Sequence, residues 1–284
     1  MSARVCVLGP SGRMGRAVLD AAAGRKDVRI MAAVDRDGTN LIGTQVVPGV
    51  IATDDLKTGF SACDVYIDFT SPEGTRSAAL AARERKLAAV IGTTGLGEAD
   101  ERALASLAEV APIVVAANFS LGVNLVLGLV KQAARMLGPD WDAEVVETHH
   151  NKKRDAPSGT ALAIARSIAA GRGVDYDTVK RHTRDGDVGA RPRGEIGVSS
   201  VRGGDVVGEH VAYFYGAAER IEIAHRATSR TIFAAGALTA AAWVVGKPPG
   251  RYTMLDVLGF TPRPPPNATR SSSSTRTARV TSSP

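Results

Sequence analysis

Residues 144–162 hold the densest chemistry in the chain. Two adjacent histidines, His149 and His150, are followed by Lys152, Lys153 and Arg154, and then by Ser158-Gly159-Thr160 ahead of an apolar stretch. The alternation over 143–148 predicts a strand that delivers the histidines, and Gly159 opens a helix expected over 159–170. Unpaired amides at that helix start, the Thr160 hydroxyl and the nearby cations together make an anion site. A small carboxylate is the expected substrate, and histidine and lysine in the same loop can supply protons to it. Paired histidines also raise the question of a metal. No other histidine or cysteine clusters with them in the sequence, so no metal is expected. Taken alone, the stretch also reads as a solvated basic loop.

A second constellation lies near the amino terminus. Gly9-Pro10-Ser11-Gly12-Arg13-Met14-Gly15 places glycines in a G-x-x-G-x-x-G register, one position away from the usual dinucleotide fingerprint. The mechanics still hold: Gly9 permits a sharp turn off a strand, Gly12 lets backbone approach a pyrophosphate, and Gly15 lets the helix pack closely. The turn follows an apolar run over 5–8 and opens a helix over 13–23. An acid, Asp35, stands at the end of the next apolar run, over 28–34. Asp35 is placed to accept from the adenosine ribose hydroxyls, which favours NAD, whereas Arg36 beside it suits a 2′-phosphate and favours NADP. Three further strand ends carry small polar residues: 68–72, Gly92-Thr93-Thr94-Gly95, and Ala117-Asn118-Phe119-Ser120. Ligands of open α/β sheets lie beyond such ends. Asn118 and the Thr93-Thr94 pair are therefore expected near the nicotinamide carboxamide.

These residues need a scaffold. Strands over 65–69, 88–92 and 113–117 alternate with helices over 78–85 and 98–107, which implies a doubly wound parallel sheet covered on both faces. After Asn118 the pattern changes. A helix over 124–137 precedes the histidine strand, and strands over 195–201, 206–213 and 220–225 follow in succession. Arg202-Gly203-Gly204-Asp205 reads as a hairpin turn between the first two. The fold class expected is α/β: a Rossmann-type sheet plus a second α+β domain with a mixed or antiparallel sheet. The expected division is 1–120 for the dinucleotide, 121–229 for substrate and oligomerisation, and 230–261 as a helix and strand returning to the first domain. The helix is placed over 232–245 and the strand over 255–260. A Pro/Ser/Thr/Arg-rich tail over 262–284 is expected to be disordered.

Bulk properties narrow the class. The chain has 284 residues, 44% hydrophobic and 23% charged, in the ordinary range for a soluble globular protein. No apolar run approaches the length of a membrane span, and the amino terminus enters a strand pattern with no signal-peptide layout, so a cytoplasmic location is expected. Four of the +6 net charges are arginines of the acid-free tail, which leaves +2 for the rest and gives no case for nucleic-acid binding. The two cysteines, Cys6 and Cys63, lack metal spacing and read as reduced core thiols.

The loop resembles the signature of the 4-hydroxy-tetrahydrodipicolinate reductases, lysine-pathway enzymes also called dihydrodipicolinate reductases. Glu144, Val145, Val146, Glu147, His149, His150, Lys153 and the run 155–161 meet every fixed position of that signature. The Gly9–Gly15 turn, Gly92-Thr93-Thr94-Gly95 and the run 117–124 are similar to the family's other motifs, in the same order, and the resemblance extends from about Arg4 to Phe260. It implies His149 as acid/base, Lys153 as proton donor to the substrate ring, and His150 as a substrate contact. Gly159 and Thr160 would hold one carboxylate. Gly9, Pro10, Ser11, Gly12, Arg13, Met14, Asp35, Arg36, Gly92, Thr93, Thr94, Ala117, Asn118, Phe119 and Ser120 would hold NADH or NADPH. It further implies a small dicarboxylate substrate, no metal, no nucleic-acid or membrane partner, and a homotetramer formed through the second sheet. The alternative is a reductase of another small imino or amino dicarboxylate.

Overall fold

The computed structural model describes residues 2–260. The tail over 262–284 lies outside them. The first part runs β1 (Ala3–Leu8), α1 (Arg13–Ala22), β2 (Val28–Val34), β3 (Gln45–Val47), β4 (Val50–Thr53), α2 (Leu56–Phe60), β5 (Val65–Asp68), α3 (Pro72–Arg85), β6 (Ala88–Ile91), α4 (Glu98–Ala108) and β7 (Pro112–Val115). It continues through α5 (Leu121–Leu137), β8 (Asp142–His149), α6 (Gly159–Arg172), α7 (Tyr176–Val179), β9 (Lys180–Arg181), β10 (Ile196–Arg202), β11 (Gly208–Tyr215) and β12 (Arg220–Ala227). It ends with α8 (Thr231–Val244), β13 (Gly250–Tyr252) and α9 (Met254–Val257).

Strands β5 and β6 are buried at every residue, as short apolar runs are when both faces of a parallel sheet are covered. The sheet has the order β13-β7-β6-β5-β1-β2-β4-β3. All its pairs are parallel except β3 with β4. One face packs against α1 and α8 through Val18, Leu19, Ala237 and Leu238, the other against α2, α3 and α4 through Phe60, Ala78, Ala82 and Leu104. The strand order reverses between β1 and β5, which opens a crevice at their carboxyl ends.

The second sheet has the order β12-β11-β8-β10-β9. Strand β8 pairs in parallel with β10 and antiparallel with β11, and α5 and α6 cover one face through Val126, Val130, Ile164 and Ile168. The architecture is therefore α/β with a mixed second sheet. The hairpin expected at Arg202–Asp205 is absent, because β8 lies between the two strands it would have joined. Ile196 and Val198 of β10 bury beside Ala143 and Val145 on one side of β8, and Ala212 and Phe214 of β11 do so on the other. The Gly203-Gly204 turn instead wraps the end of β8: Gly203 N donates to His149 O at 3.0 Å and His150 N to Val206 O at 2.8 Å. The true hairpin joins β11 to β12, closed by Gly216 N donating to Glu219 O at 2.8 Å.

Two helices begin earlier than the periodicity predicts. Ser71 caps α3, with Pro72 at its first position, and the Ser120 hydroxyl accepts from Val123 N to start α5 at Leu121. The last strand also differs from expectation. It is Gly250–Tyr252, parallel to β7, while 254–257 is helical because Thr253 and Asp256 form a reciprocal cap.

Helix α8 crosses the Phe119 segment at backbone contact distance. A β-carbon on residue 236 would stand 1.7 Å from the Phe119 carbonyl oxygen. We expect Gly236→Ala to cost about 1–3 kcal/mol, whereas the same change in an exposed helix would stabilise by about 1 kcal/mol. Urea unfolding midpoints measure the sign.

Candidate active site

The crevice between β1 and β5 has the features of a dinucleotide cradle. Gly9 turns off β1 at φ +67°, a conformation open to glycine, and lies against Thr70 of the neighbouring strand end. Gly15 is required by proximity, since a β-carbon there would meet the Gly9 carbonyl oxygen at 2.0 Å. Helix α1 starts at Gly12 with no side-chain cap, so its first amides are left for an external acceptor. Asp35 is buried, and its two oxygens accept from Ser11 N at 2.8 Å and Arg36 N at 2.9 Å. The Arg36 side chain is exposed at the rim of a cavity of about 590 Å³ lined by Gly9, Ser11, Gly12, Asp35, Asp54 and Thr70. Uncapped amides, glycines at contact distance and a strand-end acid fit a pyrophosphate and ribose.

The other proposed cofactor residues divide. Arg13, Thr94 and Ala117 are exposed, Met14, Gly92 and Asn118 are half-buried, and Pro10, Thr93, Phe119 and Ser120 are buried. The Thr93 hydroxyl is turned inward, 2.8 Å from Thr75 Oγ1 and 3.3 Å from Asp68. Fully buried Asp68 also accepts from the amide and hydroxyl of Thr70 and the hydroxyl of Thr75, so it ties the ends of β5 and β6 together. Phe119 packs edge-on against Phe69.

A second cavity, of about 200 Å³, lies where the Asn118 loop faces β8. Its wall includes Asn118, His149, His150, Lys153, Thr160 and Arg230. Asn118 Nδ2 donates to Thr160 Oγ1 at 3.4 Å, and Asn124 Nδ2 fixes the Asn118 and Ser120 carbonyls. The first turns of three helices reach this wall: α5 through Val123, α6 through Thr160, and α8 through Ile232 and Phe233. The Ser158 hydroxyl accepts from Ala161 N, leaving the preceding Gly159 and Thr160 amides to other acceptors, and α8 has no side-chain cap. Three positive helix ends beside Lys153 and Arg230 suit a ligand with more than one negative charge. Lys153 Nζ donates to Asp155 at 2.9 Å, so it is not a bare member of a cationic cluster.

His149 ends β8. Its Nδ1 lies 2.5 Å from Glu147 Oε2, and Glu147 is fully buried. Arg202 Nη1 and Nη2 donate to both oxygens of Glu147 at 2.8 Å each, and Ser158 N donates to Oε1 at 3.1 Å. Burial opposes the charge, but the hydrogen bonds from Arg202, Ser200, His149 and the Ser158 amide outweigh it and hold the Glu147 pKa at about 2.

Three participants escaped sequence reasoning: His210, His225 and Arg230. Four of the five histidines line this one cavity, although His210 and His225 lie far along the chain from the other two. Their register is the signal: they oppose each other across β11 and β12, on the face that carries Glu147 and His149. His210 Nε2 lies 3.1 Å from Ser158 Oγ, and its ring meets His149 edge-on at 5.1 Å. Among the described residues, no group of histidine, cysteine, aspartate or glutamate side chains is arranged to hold a metal, and no helix is long and apolar enough to cross a membrane.

Comparison with known proteins agrees with this geometry. The family models for the amino and carboxyl termini of dihydrodipicolinate reductase match residues 3–119 and 122–258. The chain belongs to the dihydrodipicolinate reductase family. The 4-hydroxy-tetrahydrodipicolinate reductase of Alkalilimnicola ehrlichii is 47% identical over 267 residues, covering 92% of this chain and all of that one. That of Myxococcus xanthus is 47% identical over 268 residues, covering 90% and 98%. A dipicolinate-bound dihydrodipicolinate reductase from Paenisporosarcina sp. TG-14 superposes with a TM-score of 0.76 at 26% identity, over 90% of this chain and 99% of that one. The chain is thus a member of an NAD(P)H-dependent oxidoreductase family, and the Gly9–Gly15 turn lies within the residues matched by the family's amino-terminal model.

Burial and the neighbouring His149 push the His210 pKa down to about 4, and burial lowers that of His225 as well. A histidine whose folded pKa is depressed costs stability as pH falls below its unfolded value near 6.5, because only the unfolded chain then takes the proton. Glu147, also depressed, contributes in full above its unfolded value near 4.5 and loses that contribution as the pH falls from there toward 2. Stability should therefore fall between pH 6.5 and 4, and His210→Gln should flatten that fall. Urea midpoints taken across the range check it.

Proposed function

We propose that this chain reduces 4-hydroxy-tetrahydrodipicolinate to tetrahydrodipicolinate, with loss of water, on the diaminopimelate route to lysine. The observation that carries the reading is the second cavity, where His149, His150, Lys153 and Thr160 share a wall with Asn118 at the end of the nucleotide-binding sheet. The substrate is a cyclic imine with two carboxylates, and the convergence of helix ends and cations answers that charge. The reduced nicotinamide, when bound, supplies the hydride. The protein's part is position and protons. Gly159 and Thr160 hold one carboxylate on free amides, and His150 contacts the ring substituents. Lys153 delivers a proton to the ring as the hydride arrives, and His149 serves as acid/base for the departing hydroxyl.

Gly9, Pro10, Ser11, Gly12, Arg13 and Met14 cradle the pyrophosphate in this reading. Asp35 and Arg36 meet the adenosine ribose, and Gly92, Thr93, Thr94 and the 117–120 segment form the nicotinamide end. Residues 1–120 then act as the cofactor domain, 121–229 as the substrate and oligomerisation domain, and 230–261 as a return to the first. A homotetramer forms through the face of the second sheet opposite α5 and α6. That face carries Val146, Val211, Tyr213 and the exposed Val201 and Tyr215, as a subunit contact requires. The location proposed is the cytoplasm.

The test couples aspartate semialdehyde, pyruvate and the synthase that joins them to this protein, and follows the loss of NADH or NADPH absorbance. His149→Ala and Lys153→Ala should fold normally and lower turnover by about 10²-fold or more. Near wild-type turnover in both overturns the residue roles. Asp35 and Arg36 pull in opposite directions, so NADH and NADPH should differ modestly in kcat/KM. Arg36→Ala should weaken NADPH use alone, a loss read in its KM.

A further inference from the structure

Glu147 is bonded in a way that the proposed reaction does not itself require. Each of its oxygens meets two nitrogens: Oε2 lies against His149 Nδ1 and accepts from Arg202 Nη1, and Oε1 accepts from Ser158 N and Arg202 Nη2. Arginine and a backbone amide can only donate. An ionised carboxylate accepts from all four, and with Nδ1 carrying its proton toward Glu147, His149 turns Nε2 toward the cavity. The same carboxylate also holds the Ser158 amide, which immediately precedes Gly159 and Thr160. One buried group thus sets both the ring of the proposed acid/base and the start of the helix proposed to hold the substrate carboxylate.

We infer that Glu147 is a positioning residue for this reaction, with Arg202 as its clamp, and that it acts by fixing which nitrogen of His149 faces the substrate. This rests on the function proposed above. The other titratable groups about the His149 ring are His210 on β11, His225 on β12, Arg202 on β10 and His150, Lys153 and Asp155 in the loop. Among the described residues Glu147 alone of the acids touches the ring. His210 meets it by its edge and spends Nε2 on Ser158. No other neighbour therefore competes to hold Nδ1–H.

The consequence follows from donor counting. In Glu147→Gln, the new amide NH2 must face either Arg202 with His149 or Arg202 with Ser158 N–H. Of the groups that bond to these oxygens, only the His149 ring and the Ser200 hydroxyl can become acceptors, so where the new NH2 faces His149 the ring should invert to Nδ1 unprotonated and Nε2–H into the cavity. A ring in the wrong tautomer loses general acid/base function with little effect on binding.

The experiment uses the full chain. In wild type, 15N–1H long-range correlation of the histidines should show neutral His149 protonated at Nδ1, and Glu147→Gln should show it protonated at Nε2. The same variant should lose about 10²-fold in kcat, with the NADH dissociation constant and the KM for the imine within about threefold. Glu147→Asp keeps the charge and should restore the Nδ1–H pattern with part of kcat. Arg202→Lys leaves Glu147 in place and should keep the tautomer while lowering thermal stability. A wild-type His149 protonated at Nε2 overturns the proposal whether or not any variant folds. An unchanged tautomer in folded Glu147→Gln, or an inverted one with kcat within threefold of wild type, overturns it as well. Failure of the wild type to reduce the substrate strikes the proposed function instead, and leaves the tautomer result to stand or fall alone.

Discussion

The carbonyl oxygen of Phe119 occupies the space that a β-carbon on residue 236 would need. Much of the molecule depends on that contact. The chain leaves its first sheet through residues 116–120 and later returns as α8, which covers the same sheet beside α1. Helix α8 must cross the exit segment on its way, and it does so with no side chain between the two backbones. Its alanines, with Leu238, then fill the narrow space over β5 and β6 and against α1. Its first turn reaches the second cavity with Ile232 and Phe233, preceded by Arg230. Covering the sheet and reaching the cavity are compatible only at this crossing distance, so one glycine contact joins the core of the first sheet to the wall of the site.

The site is built by removing acceptors from a positive region. Capping hydroxyls satisfy one amide each at α5 and α6 and leave others open. Helix α8 is left without a side-chain cap. Lys153, His150 and Arg230 lie on the same wall. Burial first, and then the neighbouring His149, keep His210 neutral, and a region of this sign gains from a ligand that brings negative charge. Turning this field to catalysis needs one fixed proton position, and that demands a negative partner out of reach of solvent. Glu147 fills this requirement at a desolvation cost that Arg202 and three other donors offset.

The chemistry-bearing segments were more legible in the sequence than the topology that assembles them. The glycine turn, Asp35 and the His149–Thr160 loop are local patterns, each written in adjacent residues that obey the rules of one turn or one helix start. The strand runs of the first sheet were equally plain, because burial on both faces makes them continuously apolar. The pairing of β10 with β8 was not legible. A glycine-glycine turn between two strands looks the same whether the strands pair with each other or straddle a third, and the choice depends on side chains far away in the chain. The same long-range pairing hid His210 and His225, whose place in the site comes from register across β11 and β12. The inward turn of Thr93 depended on Asp68, a carboxylate whose burial no local pattern reveals. The early start of α3 is hidden because 73–77 carry no apolar residue, and that of α5 because Gly122 interrupts the apolar pattern just after the capping Ser120.

Three buried carboxylates share one architectural use. Asp35 directly follows β2 and holds the Ser11 amide of the loop after β1. Asp68 ends β5 and holds Thr93 of the loop after β6. Glu147, near the end of β8, holds the start of α6 and the last residue of β10. In each case the acid sits on or directly after one strand and captures a donor delivered by another element, so loops that would otherwise move independently are tied across the sheet. A buried carboxylate enforces this more strictly than a neutral group, since any donor withdrawn leaves charge unpaired in a poorly solvated place. The ligand-facing donors nearby are thereby held still before anything binds. That stillness matters most for an anion site, where the gain from each amide depends on its direction and where reorganising after binding would spend the very interaction the site provides.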